Sequence, residues 1–324
     1  MRMVRHGTAI LLALALMAFA APAPAQEYPT RPITLLVPQA PGASSDLLAR
    51  TLGERLQALW GQSVVIENRP GAGSNIGAAI VARAAPDGYT LMIGTDALMT
   101  SNIHLYKDMS FDPVKDFAPV AMAGANIICL AVHESVPVKT MAELIAYAKA
   151  NPGKLKYGTP GAASPHHLSG ELLALKAGID IVHVPYKGGG PAANDLIGGH
   201  IPMAFLSLSS AVPQLATGKI RIVALVDKSR YAAMPEVPTI GETIAGFEMS
   251  SWLGVFAPAA TPAPLVAKIG DAVTAIFNDP PVKEKLAGLG LVVMPITRAE
   301  LADMIRRDSG VRAALIKAAN IQPQ

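Results

Sequence analysis

The sequence predicts an α/β protein of two lobes, with a hinge and a ligand cleft between them. Three observations carry this expectation. Short apolar runs alternate with longer helical patterns along the chain, the signature of sheets covered by helices on both faces. One strand–loop–helix phrase occurs twice. Ile33-Thr34-Leu35-Leu36-Val37-Pro38 leads into Pro41-Gly42-Ala43-Ser44-Ser45-Asp46, and Leu155-Lys156-Tyr157-Gly158-Thr159 leads into Pro160-Gly161-Ala162-Ala163-Ser164-Pro165. Setting aside an N-terminal export segment of 25 residues leaves 299 of the 324, enough for two ordinary domains.

Strands are expected at Ile33–Val37, Ser63–Ile66, Thr90–Gly94, Val120–Ala123, Ile127–Val132 and Leu155–Gly158, then at Ile181–Pro185, Pro202–Ser207, Ile220–Val226, Trp252–Ala257 and Leu291–Val293. Helical periodicity marks Ser45–Trp60, Asn75–Arg83, Met141–Ala150, Pro165–Ala177, Pro191–Ile197 and Pro264–Phe277. Thr140, Ser164 and Thr297 stand where an N-cap is needed, and Pro165 occupies a first-turn position where a missing N–H is harmless. The alternation favours parallel sheets. No short-period repeat or Gly/Ser-rich linker marks a boundary, so topology must supply it. The duplicated units place one lobe at 26–126 and 250–324 and the other at 127–249, with two crossovers forming the hinge.

Arg2 and Arg5, the apolar run Ala9–Ala20 and the small residues Ala21-Pro22-Ala23-Pro24-Ala25 read as a signal peptide cleaved after Ala25, which implies a periplasmic location. The run falls short of the roughly 20 apolar residues that a membrane span needs. Its removal takes the formal charge from +3 to +1, because it carries two Arg and no acid. A nearly neutral chain without a basic block is not built for nucleic acid or an anionic membrane. The single Cys129 lies inside an apolar run and reads as a buried small hydrophobe, since one Cys forms no internal disulfide.

Each duplicated loop turns main-chain N–H groups toward the positive end of a helix, an arrangement that suits an anion. In the first loop Gly42, Ala43 and Ser44 supply the expected donors, and Asp46 reads as a structural cap. In the second, Thr159, Gly161, Ala163 and Ser164 have the same character. His166 and His167 follow on adjacent helix positions, which point to different faces and therefore suit a metal poorly. Ser74, after the Gly71-Ala72-Gly73 turn, is a further contact candidate. That turn is one residue too long for a dinucleotide fingerprint, and Pro70 interrupts its approach. Thr95 and Asp96 end one strand, and Phe205 and Ser207 end another, at the carboxyl edge where open α/β sheets bind ligands. Asp96 would suit an amino group, and Lys187 reads as a solvated surface charge. No Gly-x-Ser-x-Gly, His-Glu-x-x-His or second Cys is present, so no catalytic residues, metal or cofactor are assigned and an enzyme is disfavoured.

These motifs resemble the Bug family, the periplasmic solute-binding components of tripartite tricarboxylate transporters. The matching stretches include Tyr28-Pro29-Thr30-Arg31-Pro32-Ile33, Glu67-Asn68-Arg69-Pro70-Gly71-Ala72-Gly73, Pro86-Asp87-Gly88-Tyr89-Thr90-Leu91, Tyr157-Gly158-Thr159-Pro160-Gly161, His183-Val184-Pro185-Tyr186-Lys187-Gly188, and Gly246-Phe247-Glu248 with Trp252. The resemblance spans nearly all of the chain after the export segment. It implies a type II periplasmic-binding-protein fold, a carboxylate held through backbone groups at the cleft, and delivery to the transporter's membrane subunits; the chain is expected to act as a monomer. A sensor partnered with a membrane signalling protein needs the same lobe closure and is the alternative. Ala43 and Ser74 stand where the family usually carries Gly, and Ala245 where Pro is common; Ala43 would disfavour a positive φ.

Overall fold

The structure, a computed structural model, describes residues 28–294 and 296–323; the expected export segment lies outside the described residues. The chain opens with β1 (Ile33–Val37), α1 (Ser44–Trp60), β2 (Val64–Asn68), α2 (Asn75–Ala82) and β3 (Thr90–Thr95). After a π-helical turn at Ala97–Ser101 come β4 (Phe117–Asn126), β5 (Ile128–His133), α3 (Met141–Ala150), β6 (Leu155–Thr159), α4 (Pro165–Ala177) and β7 (Ile181–Pro185). Then follow α5 (Gly189–Ile197), β8 (Met203–Ser207), α6 (Leu208–Leu215), β9 (Ile220–Leu225) and β10 (Trp252–Pro258). The chain finishes with α7 (Ala263–Asn278), α8 (Pro280–Gly288), β11 (Leu291–Val292) and α9 (Arg298–Ala318).

Two sheets form, in the orders β11-β4-β10-β3-β1-β2 and β7-β6-β8-β5-β9. Apart from β11 they share one topology. In each, three parallel strands (β2-β1-β3 and β7-β6-β8) are followed by an antiparallel fourth (β10 and β5), which pairs with a fifth (β4 and β9). The duplicated sequence phrases are thus equivalent strands, β1 and β6, with their following loops. The purely parallel expectation is corrected: both sheets are mixed. The fourth strand of each belongs to a chain that has just crossed from the other lobe, and it enters running the opposite way.

Local chemistry explains the element ends. Thr140 and Thr297 form capping boxes with Glu143 and Glu300, while Ser164 Oγ accepts the His167 amide. Gly61 and Gly178 end α1 and α4 in the left-handed conformation that only Gly adopts without penalty.

Alternation along β5 divides the second lobe's core. Ile128, Leu130 and Val132 face α3 and α4, whereas Cys129 and Ala131 face α5 and α6. Each fully buried side chain of this size contributes about 1.5–3 kcal/mol. Cys129 is sealed in, and burial pushes its thiol up to about 12, so it acts as a small hydrophobe. The first sheet packs α1, α7 and α8 on one face, and α2 with the front of α9 on the other. Helix α9 then leaves that core. Leu301, Met304 and Ile305 pack in the first lobe, but Leu315 and Ile316 join the second lobe's cluster. Its 21 residues span roughly 30 Å, long enough to strap one lobe to the other.

Candidate functional site

At the carboxyl edge of the first sheet, the β1–α1 loop is organised by Asp46, which is only 2% exposed. Its Oδ2 accepts the Gly42 amide at 2.9 Å and Arg50 Nε at 3.0 Å, and its Oδ1 accepts Asn68 Nδ2 at 3.0 Å. Burial opposes ionisation, yet Arg50, Gly42 and Asn68 together hold the carboxyl below the ordinary range. This corrects the expected donor set. The Gly42 amide is taken by Asp46, and the Ala43 amide reaches Ala40 O at 3.3 Å. Among the described residues, the amides of Ser44 and Ser45 meet no protein acceptor; they are first-turn groups that a helix leaves unpaired. Positive φ falls on Gly42 (+80°), while Ala43 sits at −68°, so the extra methyl of Ala43 is accommodated without strain.

Two neighbouring turns complete this half. Gly71, Ala72, Gly73 and Ser74 all have positive φ, and Asn102 Nδ2 pins the turn by donating to Gly73 O at 2.8 Å and Asn75 Oδ1 at 2.7 Å. Ser74 holds φ +82° and is almost buried, so it occupies a conformation that glycine takes more readily. Thr95 Oγ1 accepts the Leu98 amide at 3.2 Å. Asp96 is corrected as a ligand group. It is 2% exposed and lies 3.3 Å from Arg312 Nη2 of α9, itself 2% exposed, so its charge is answered inside the protein. Burial pushes Asp96 up to about 7, with Arg312 acting against the rise.

In the second lobe three strand-to-helix junctions converge. Gly188 N donates to Pro160 O at 2.8 Å and Tyr186 N to Thr159 O at 2.9 Å. A Cβ on Gly189 would lie 2.6 Å from Ser210 Oγ, which shows how closely the start of α5 meets that of α6. In the β6–α4 loop, Ser164 Oγ donates to Gly161 O at 2.7 Å, and Ala163, at φ +63°, donates its amide to His167 Nδ1 at 3.0 Å. Gly161 and Ser164 keep main-chain amides that meet no acceptor among the described residues. Lys187 stands beside the junction, exposed and without an ion pair among the described residues.

Ser207 and His166 meet at the base of the two lobes. Ser207 Oγ lies 2.8 Å from Asn126 Nδ2, at the first crossover, and 3.1 Å from His166 Nε2. Burial pushes His166 down to about 3, so its ring stays neutral. Its Nδ1 and Asn126 Oδ1 are buried without partners among the described residues. Phe205 is corrected: fully buried, it packs edge-to-face on Tyr157 at 5.8 Å and does not reach the cleft edge.

The structure therefore gathers Gly42–Ser44, Ser74 and Thr95 into one half and Thr159–Ser164, His166 and Ser207 into the other. Residue reasoning missed Asn126 and Asn68. Asn126 carried a legible signal, a polar residue between two apolar runs. Among the described residues, no group of three His, Cys, Asp or Glu could hold a metal, and no helix is long and apolar enough to cross a membrane.

Two α/β lobes of matched topology, joined by crossovers and presenting helix starts from both sheet edges, define a two-lobed solute-binding protein of the type II periplasmic class. Residues 48–321 match the tripartite tricarboxylate transporter family receptor, TctC, and the chain belongs to that family. The periplasmic binding protein BugD is 31% identical, with a TM-score of 0.84 over 92% of this chain and all of that one. Rpa4515 of Rhodopseudomonas palustris, solved with adipate, is 35% identical with a TM-score of 0.87, covering 92% of this chain and 100% of its own. MatC of the same organism, with bound malate, is 31% identical with a TM-score of 0.81, covering 89% and 100%.

Proposed function

We propose that this chain is a periplasmic receptor that captures a small carboxylate between its lobes and delivers it to the membrane subunits of a tripartite tricarboxylate-type transporter. The observation that carries the reading is the pair of equivalent loops, β1–α1 and β6–α4, each leaving main-chain amides at a helix start without an acceptor among the described residues. The adipate and malate bound by similar proteins support the same ligand class. The receptor works as a monomer, with one lobe at 26–126 and 250–324, the other at 127–249, and the export signal removed after Ala25.

The mechanism is non-covalent. A carboxylate docks on one lobe, closure about the crossovers at Asn126–Ile127 and 226–251 brings up the other, and water leaves the ligand. Only contacts that differ between open and closed states shift that equilibrium, so the ligand must touch both lobes. Neutral amide donors suit binding near micromolar, about −8 kcal/mol, tight enough to capture and weak enough to release.

A thermal-shift and calorimetric screen of the mature protein against mono-, di- and tricarboxylates tests the reading. A ligand at 100 times its Kd adds about 2.7 kcal/mol of stability. Gly42→Val and Gly161→Val should weaken that ligand at least about tenfold, some 1.4 kcal/mol, and Ser44→Ala less. Stabilisation by sugars alone would overturn the carboxylate assignment.

A further inference from the structure

Behind the β6–α4 loop lies a partly buried polar cluster that the binding reading does not use. His167 is 7% exposed. Its Nδ1 accepts the Ala163 amide at 3.0 Å, so that nitrogen carries no proton and the ring hydrogen sits on Nε2. Nε2 faces Glu171 Oε1 at 3.5 Å, an oxygen that also accepts Tyr157 OH at 2.5 Å. His183 stacks on His167 with ring centroids 3.7 Å apart and planes 13° from parallel, and its Nε2 lies 2.7 Å from Thr159 Oγ1. The Thr159 hydroxyl donates to Gly161 O at 3.1 Å, which leaves His183 Nε2–H as the donor to Thr159. One ring thus holds Ala163 and its neighbour holds Thr159, at the two ends of the loop.

We propose that His167 is a positioning residue for this loop: its Nδ1 lone pair keeps Ala163 in the left-handed conformation, and a second proton on the ring releases the loop and weakens ligand binding. Ala163 carries a side chain at φ +63°, a conformation that L residues disfavour, so something must hold it there. Protonation would set a new N–H against the Ala163 N–H, two donors with no acceptor between them. The titratable groups that face His167 are Tyr157 from β6, His183 from β7 and Glu171 on its own helix. Burial, then the neighbouring His167, push His183 down to about 3, so its ring stays neutral. Binding and protonation therefore compete, and affinity is highest at the alkaline end.

The affinity arm of this inference rests on the carboxylate reading; the amide arm does not. In the ligand-free protein, the Ala163 amide resonance is followed from about pH 8 to about pH 5, where imidazoles change charge, and adipate affinity is measured by calorimetry across the same range. Wild type should show a displaced Ala163 resonance on acidification and an affinity that falls by up to about tenfold per pH unit. His167→Asn, whose Oδ1 can accept the same amide without titrating, should keep the alkaline affinity and flatten the profile. His167→Phe should bind weakly at both ends. An unmoved Ala163 resonance, or a His167→Asn profile as steep as wild type, overturns the proposal. If neither adipate nor any other carboxylate of the screen binds at any pH while the Ala163 resonance still moves on acidification, the carboxylate reading is what fails.

Discussion

Arg312 and Asp96 meet 3.3 Å apart beneath the end of β3, each 2% exposed, and join the strap helix α9 to the edge of the candidate site. Arg312 Nη2 also donates to Ser250 O at 2.5 Å, in the second crossover, so one guanidinium ties a sheet edge to the hinge. Removing one partner of a buried pair leaves a charge without compensation. Arg312→Met should therefore cost about 3–5 kcal/mol in chemical denaturation. A loss below about 1 kcal/mol would show that the pair does not anchor the hinge.

Asp96 also sets a pH slope. Burial raises its folded-state pKa to about 7, from an ordinary carboxylate value of about 4. The folded state then holds more protons than the unfolded one between those values, so this group's contribution falls as pH rises through that window. Asp96→Asn should remove that downward limb from the stability–pH curve, whatever it does to absolute stability. An unchanged curve would mean that Arg312 keeps the carboxylate ionised throughout.

His166 and His183 act in the opposite direction. Burial drives both down to about 3, and in the unfolded chain each returns to about 6.5. Both contribute stability that is present above about pH 6.5 and lost as pH falls toward 3, at up to about 1.4 kcal/mol per pH unit each. His166→Phe should shallow the acid limb measured by urea denaturation; equal slopes in mutant and wild type would discount the burial.

Ser207 is the shared partner of Asn126 and His166. Ser207→Ala should cost about 1–3 kcal/mol, because it strands buried polar atoms on both neighbours. A near-neutral result in a melting experiment would mean that water replaces the hydroxyl.

Ser74 offers a gain. Its φ of +82° costs an L residue roughly 1–2 kcal/mol, and Gly gives back up to about 1 kcal/mol in unfolded-state entropy. Ser74→Gly should leave a net stabilisation of about 0.5–1 kcal/mol. Destabilisation would imply that the nearly buried hydroxyl has a partner of its own.

Particular elements show how much could be read in advance. The apolar runs placed the strands because burial on both faces demands continuous apolar side chains, and Thr140, Ser164 and Thr297 marked helix starts because capping is local chemistry. Strand direction was not legible at β5 and β10, whose apolar character is the same whichever way they run. Asp46 was legible as a cap, but its capture of the Gly42 amide was not, since that depends on Asn68 and Arg50 holding the carboxylate in place.

By itself the sequence determined the alternation of elements, the duplicated strand–loop–helix units and the family to which the chain belongs. Only the tertiary structure decided which amides remain free, that Asp96 is spent on Arg312, that Phe205 belongs to the core, and that α9 bridges the lobes. The reason is range. Periodicity and capping act over a few residues, whereas the Arg312–Asp96 pair joins positions 216 apart and exists only once the chain has crossed between lobes twice.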